Sequence, residues 1–136
     1  MDLYRIMAID YGEKRIGIAL SDLLQTISQP YCVLANSKTF WEELQNIIIE
    51  KKVKNVVIGL PLNFAGEDTK KTLEIREFAA GFTEKTGLPW DFYDESFTSV
   101  DANEALKQMG FSIKDSRKVI DKVAASLILK HYLESQ

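Results

Sequence analysis

Two apolar stretches are too continuous for strands that are wet on one face. Ile6-Met7-Ala8-Ile9 and Val56-Val57-Ile58-Gly59-Leu60 contain no polar side chain. That is the pattern of strands covered on both sides in the middle of a sheet. After the first, Tyr11-Gly12-Glu13-Lys14 reads as a short loop, with Gly12 free to take positive φ. Arg15 to Leu20 then returns as a second, antiparallel strand. Gln25 to Ala35 reads as a third strand, at an edge because Pro30 cannot donate to a central ladder.

Helical spacing begins at Thr39-x-x-Glu42, which matches a capping box. Phe40, Leu44, Ile47, Ile48 and the stem of Lys51 continue one stripe. The 56–60 strand follows and Pro61 stops it. Leu62 to Asp68 is a loop that contains Asn63. A long helix is expected from Asp68 to Lys85, on a stripe of Leu73, Arg76, Ala79, Ala80 and Phe82, with Gly87 as its stop. Trp90 to Tyr93 is a short strand ending in Asp94-Glu95. Thr98 or Ser99 caps a helix through Met109. A short helical piece near Lys114 to Lys118 precedes a final helix from Val119 to Glu134. Three strands in a meander, then alternating helix and strand, predict an α/β fold: a mixed five-stranded sheet, three strands antiparallel and two parallel, with helices on both faces.

Length and composition narrow the class. The 136 residues form one expected domain, with a 46% hydrophobic share sufficient for a core. No apolar run reaches the roughly 18 residues of a membrane span, and the first residues lack a signal-peptide pattern. A single cysteine, Cys32, excludes an internal disulfide and a multi-cysteine zinc site. The expected location is the cytoplasm, with no membrane partner. The net charge of −3 disfavours broad nucleic-acid binding, so any such contact needs a local patch.

The chemistry is carried by acids at one sheet edge. Asp10 ends the first buried strand, and Asp94-Glu95 end the last. In a parallel arrangement these ends share the edge where open α/β sheets hold ligands. Asp10 read alone is also an ordinary turn-starting residue. Asp121 stands within about 40° of Ala125, Ile128 and Tyr132 around its helix, on the apolar side; helix capping is its other reading. Converging carboxylates repel unless a cation lies among them. Oxygen donors without a His or Cys cluster favour Mg²⁺ or Mn²⁺, which suits hydrolysis of phosphodiesters.

A positive patch adjoins the acids. Between 107 and 130, Lys107, Lys114, Arg117, Lys118, Lys122 and Lys130 face only Asp115 and Asp121. Lys14 and Arg15 sit beside Asp10, and Thr98 opens a helix whose N–H groups could hold a phosphate. Asn63 follows a buried strand at the same edge, where it either contacts substrate or holds its loop. These residues are the candidate nucleic-acid contacts. Cys32 and His131 read as structural, and Trp41 and Trp90 as core or half-buried.

Four stretches resemble the YqgF (RuvX-like) family, in family order. They are Asp10-Tyr11-Gly12-Glu13-Lys14-Arg15-Ile16-Gly17, Val57-Ile58-Gly59-Leu60-Pro61-Leu62-Asn63, Asp94-Glu95-Ser96-Phe97-Thr98-Ser99 and Asp121-Lys122-Val123-Ala124-Ala125-Ser126. The resemblance implies an RNase H-like fold and a metal-dependent nuclease. Its catalytic and metal-binding acids would be Asp10, Glu95 and Asp121. The family is associated with 5′-end maturation of pre-16S rRNA and is also described as Holliday junction resolvase-like. The substrates it implies are structured RNA or branched DNA, handled by a monomer or a homodimer. One position departs: the arginine usual after the Asp-Glu pair is Ser96 here. That departure keeps a silent RNA-binding assembly factor among the readings.

Overall fold

The computed structural model describes residues 3–60, 69–94 and 113–135. Both continuous apolar runs lie side by side at the centre of one sheet. Its elements in chain order are β1 (Arg5–Asp10), β2 (Arg15–Ser21), β3 (Ser28–Ala35), α1 (Phe40–Glu50), β4 (Val53–Leu60), α2 (Lys70–Ala80), α3 (Phe82–Thr86), β5 (Trp90–Asp94) and α4 (Ile113–Glu134). The strand order is β3-β2-β1-β4-β5. β1–β2 and β2–β3 pair antiparallel, whereas β1–β4 and β4–β5 pair parallel. Ala8 stands between Ala19 on one side and Val57 on the other.

Strand alternation divides the burial into two layers. Met7 and Ile9 join Phe40, Leu44, Ile75 and Phe82 beneath α1, α2 and α3. Ile6 and Ala8 join Ala19, Val57, Ala125 and Ile128 beneath α4. Ala8, Ala19 and Ala125 are all fully buried, so α4 rests on methyl groups and comes close to the strands. The other side is filled by aromatics, with Phe40 and Phe82 almost wholly enclosed. Truncating either to alanine removes about 3–5 kcal/mol in comparable cores.

Several local expectations shift, each for a visible reason. β3 begins at Ser28 rather than Gln25, because Asp22 organises the preceding turn. Its carboxylate accepts the N–H groups of Thr26 at 2.6 Å and Ile27 at 3.0 Å, and the Thr26 hydroxyl at 2.7 Å. Gln25 completes that turn at φ 56°. Thr39 does not close the expected capping box: its dihedrals (φ −93°, ψ 0°) are not those of a cap, and its hydroxyl lies 3.1 Å from that of Ser37. α2 begins at Lys70, with Thr69 as its cap accepting the Thr72 N–H, and the Thr72 hydroxyl accepts the Thr69 N–H in return.

The expected long helix breaks at Gly81 into α2 and α3, and Gly87 closes α3 with φ 75°. The buried stripe of α2 is Thr72, Ile75 and Ala79, leading to Phe82, while Leu73 is 57% exposed. The expected division near Val119 is absent, and α4 runs unbroken for 22 residues. Gly12 is required for a different reason from the expected one. Its φ is not positive, but a Cβ there would overlap the backbone carbonyl oxygen of Arg15. The expected helix from Thr98 to Met109 and the loop at 62–68 lie outside the described residues.

The Asp22 turn gives a pH-dependent prediction. The Ile27 N–H, ahead of the Thr26 donors, holds the Asp22 carboxyl at about 2, below its ordinary 3.8. A lowered folded pKa supplies stability that is complete above about pH 4 and lost as pH falls towards 2. Asp22→Ala is therefore expected to be less stable than the parent at neutral pH, with the two melting temperatures converging near pH 2. A constant gap across that window would remove the carboxylate from the account.

Candidate nuclease site at the C-terminal edge of the sheet

The alternation that buries β1 also aims its last residue. Asp10 continues the Ile6–Ala8 series, so it lies on the α4 side of the sheet, half-buried at the strand's C-terminal end. Tyr11, one residue on, packs on the opposite side with the aromatic layer. Backbone register alone thus puts a carboxylate and an aromatic ring on opposite sides of one edge.

The course of α4 brings its N-terminal half to that edge. The Ser28 hydroxyl donates to the carbonyl of Ser126 at 2.9 Å. Four residues earlier on the helix, Lys122 acts on Cys32, four residues further along β3: burial raises the thiol's pKa and the ammonium opposes the rise. β3 runs in the same direction as β1, so α4 runs opposite to β1. Position 121 lies one turn before Ala125, which packs on Ala8 and Ala19. The helix therefore carries Asp121 to the side and end of the sheet where Asp10 lies.

The strand that precedes the third expected acid reaches the same edge. β5 ends at Asp94, level with Leu60, and β4 lies between β5 and β1. Two strand spacings make about 10 Å between the ends of β1 and β5. Glu95 lies just beyond Asp94, outside the described residues, as do Asn63 and Thr98. The side chains of Asp121, Lys114, Arg117 and Lys118 are also outside them, although their backbone belongs to α4. Among the described residues alone, no group of three or more His, Cys, Asp or Glu side chains is placed to hold a metal. Of the three expected acids, Asp10 is the one whose side chain is described, and it offers carboxylate oxygens. His131 lies ten residues along α4 from 121, about 15 Å away along the axis.

Lys14 and Arg15 are exposed; alternation along β2 puts Arg15 on the face of Gly17 and Ala19, and Lys14 lies in the loop before it. They line a cleft of about 490 Å³ together with Lys70 and Lys71 of α2. The sequence reading missed those two lysines, although their adjacency at a helix start was visible. It also missed Asn36. The Asn36 side chain donates to the Gly12 carbonyl at 3.0 Å and the Tyr11 hydroxyl at 3.2 Å, and its backbone N–H donates to the Lys14 carbonyl at 2.9 Å. One residue at the end of β3 thus pins the loop that follows Asp10. An asparagine just after a strand was the only signal for it.

The sheet order, the pairing directions and the helix across one face define an RNase H-like fold. Solved structures agree: a Thermus thermophilus RuvC in complex with a Holliday junction substrate aligns with TM-score 0.56 at 13% identity, over 97% of this chain and 94% of that one. The fowlpox virus Holliday junction resolvase aligns with TM-score 0.55 at 15% identity, over 97% and 99%. The chain belongs to the RuvX family, whose description is "Holliday junction resolvase" and whose pattern matches residues 4–135. A Koribacter versatilis relative is 39% identical over 132 residues, spanning 96% of this chain and 86% of its own. One from Syntrophomonas wolfei is 41% identical, spanning 96% and 94%. Both carry the name "Putative pre-16S rRNA nuclease". Among the described residues, no helix is long and apolar enough to cross a membrane.

Proposed function

We propose that the chain is a single-domain, divalent-metal-dependent nuclease that hydrolyses phosphodiester bonds in structured RNA, at the 5′ end of pre-16S rRNA during ribosome biogenesis. The observation that carries the reading is Asp10, a half-buried carboxylate at the end of a central strand, on the side where α4 brings position 121. The names of relatives covering nearly the whole chain supply the substrate class. The cytoplasm is the proposed location, and the working form is a monomer or a homodimer.

Asp10, Glu95 and Asp121 would hold the metal, Mg²⁺ or Mn²⁺. An all-oxygen set of this kind fits a hard cation. Bound there, such ions lower the pKa of water and stabilise the departing oxygen. The remaining work falls to the chain. Asp10 is held in the β1–β2 ladder opposite Gly17, so its position is set before substrate arrives. Lys122, beside Asp121 in the sequence, and Lys114, Arg117 and Lys118 at earlier positions on α4 would neutralise backbone phosphate. Asn63 and Thr98 would contact the strand from the neighbouring loops.

A four-way DNA junction is the second reading, favoured by the family's description. A cleavage assay offering precursor rRNA and a junction side by side, with and without Mn²⁺, decides between them. Ion-dependent cleavage of the RNA is expected. Preferential junction cutting would replace the substrate, and cutting of neither would return the chain to a silent binder.

A further inference from the structure

The cleft beside Asp10 is wider in chemistry than a metal site requires. Lys14, Arg15, Lys70 and Lys71 line it against the two carboxylates Glu13 and Glu74. Lys70 and Lys71 occupy the first turn of α2, which carries no acid. Cations at that end oppose the helix dipole and cost stability unless an anion lies against them. A second cleft of about 390 Å³ continues from the first, since Tyr11 and Glu74 line both. Tyr11, Phe40, Trp41 and Phe78 give it an aromatic wall, with the carboxylates of Glu74 and Glu77 also lining it. Trp41 stacks on Phe78 at 5.2 Å and 18°, Tyr11 lies 4.8 Å from Phe78, and the Lys85 ammonium lies 5.8 Å over the Trp41 ring.

From this juxtaposition we infer that the α1–α2 side of the edge is a track for a single-stranded segment of the substrate, running away from the bond held at Asp10. The inference rests on the nuclease reading and adds the direction and form of the strand. Phosphates lie over Lys14, Lys70 and Lys71, and an unstacked base lies against the Tyr11–Trp41–Phe78 wall. Basic residues followed by aromatics are how single strands are held, because every base offers a ring face. A duplex keeps its bases stacked internally and gains nothing from that wall. The strand crosses the edge: the scissile position is on the α4 side at Asp10, and the track is on the Tyr11 side.

Binding of a short single-stranded oligouridylate and of a matched hairpin duplex to Asp10→Asn protein, across a salt series, tests the track. For the single strand, Lys70→Ala/Lys71→Ala should flatten the slope of log K against log salt by about 1.4, since each phosphate contact contributes about 0.7. Lys52→Ala/Lys54→Ala, removing the same charge at the start of β4, should leave that slope unchanged. In a Trp90→Phe background the single strand should quench Trp41 emission. Equal slopes in the two double variants would overturn the track, and so would equal losses for strand and duplex. If wild-type protein cleaves RNA while the Lys70/Lys71 variant binds normally, the track alone fails. If wild-type protein neither binds nor cleaves, the nuclease reading beneath it fails as well.

Discussion

Asp10→Asn is expected to lower the cleavage rate by about a thousandfold or more, with the fold intact. The substitution keeps the shape of the side chain and removes the charge that would hold a divalent ion. Several kcal/mol of transition-state stabilisation depend on such an ion, and about 1.4 kcal/mol corresponds to each tenfold in rate. Folding should be nearly unaffected or slightly favoured, because converging carboxylates repel when no cation separates them. Rate and melting temperature measured on the same preparation separate the two effects. Undiminished cleavage would sink the metal assignment, and loss of both properties together would make Asp10 a structural residue.

Ala125→Leu is expected to cost stability and activity through a different route. Ala125 is fully buried against Ala8 and Ala19, with no exposed surface to grow into. Overpacking of this kind costs about 1–3 kcal/mol, and the melting temperature of a domain this size falls by about 5–10 °C. The added branch lifts α4 from the sheet just one turn from position 121. Cleavage should therefore fall further than the folded fraction does, measured well below the melting transition. An unchanged melting temperature would mean that α4 does not press on the strands there.

Elements whose signal is local were legible in the sequence; those that depend on three-dimensional approach were not. The continuous apolar runs marked β1 and β4 because only central strands are covered on both faces. Pro30 marked β3 as an edge, and Gly87 marked the end of α3. The capping box at Thr39 failed because its pattern says nothing about the dihedrals the preceding chain imposes. The stripe on α2 was misjudged because Leu73 looks like core, while the hydroxyl of Thr72 is bonded within the helix cap and the residue can be buried. At the site, strand ends and helix phase pointed to Asp10 and to the backbone position of Asp121. Lys70, Lys71 and Asn36 could not be assigned to the site, because nothing in a linear chain tells that α2 and the end of β3 meet the β1–β2 loop.

The burial of β1 has a consequence for how insertions and deletions are tolerated. Ile6-Met7-Ala8-Ile9 is apolar at every position, so hydrophobic pattern alone does not distinguish its two faces. What distinguishes them at the centre of the strand is size: Ala8, next to Ile6 on the face beneath α4, is small, and Met7 and Ile9 fill the aromatic side. A one-residue slip would keep the strand greasy yet exchange the places of Asp10 and Tyr11. The carboxylate would then point towards Phe78, and the ring towards α4. Side-chain volume beneath α4 thus helps to keep the frame that sends Asp10 to one side of the edge and Tyr11 to the other, and a single lost residue in β1 would disturb packing and frame together.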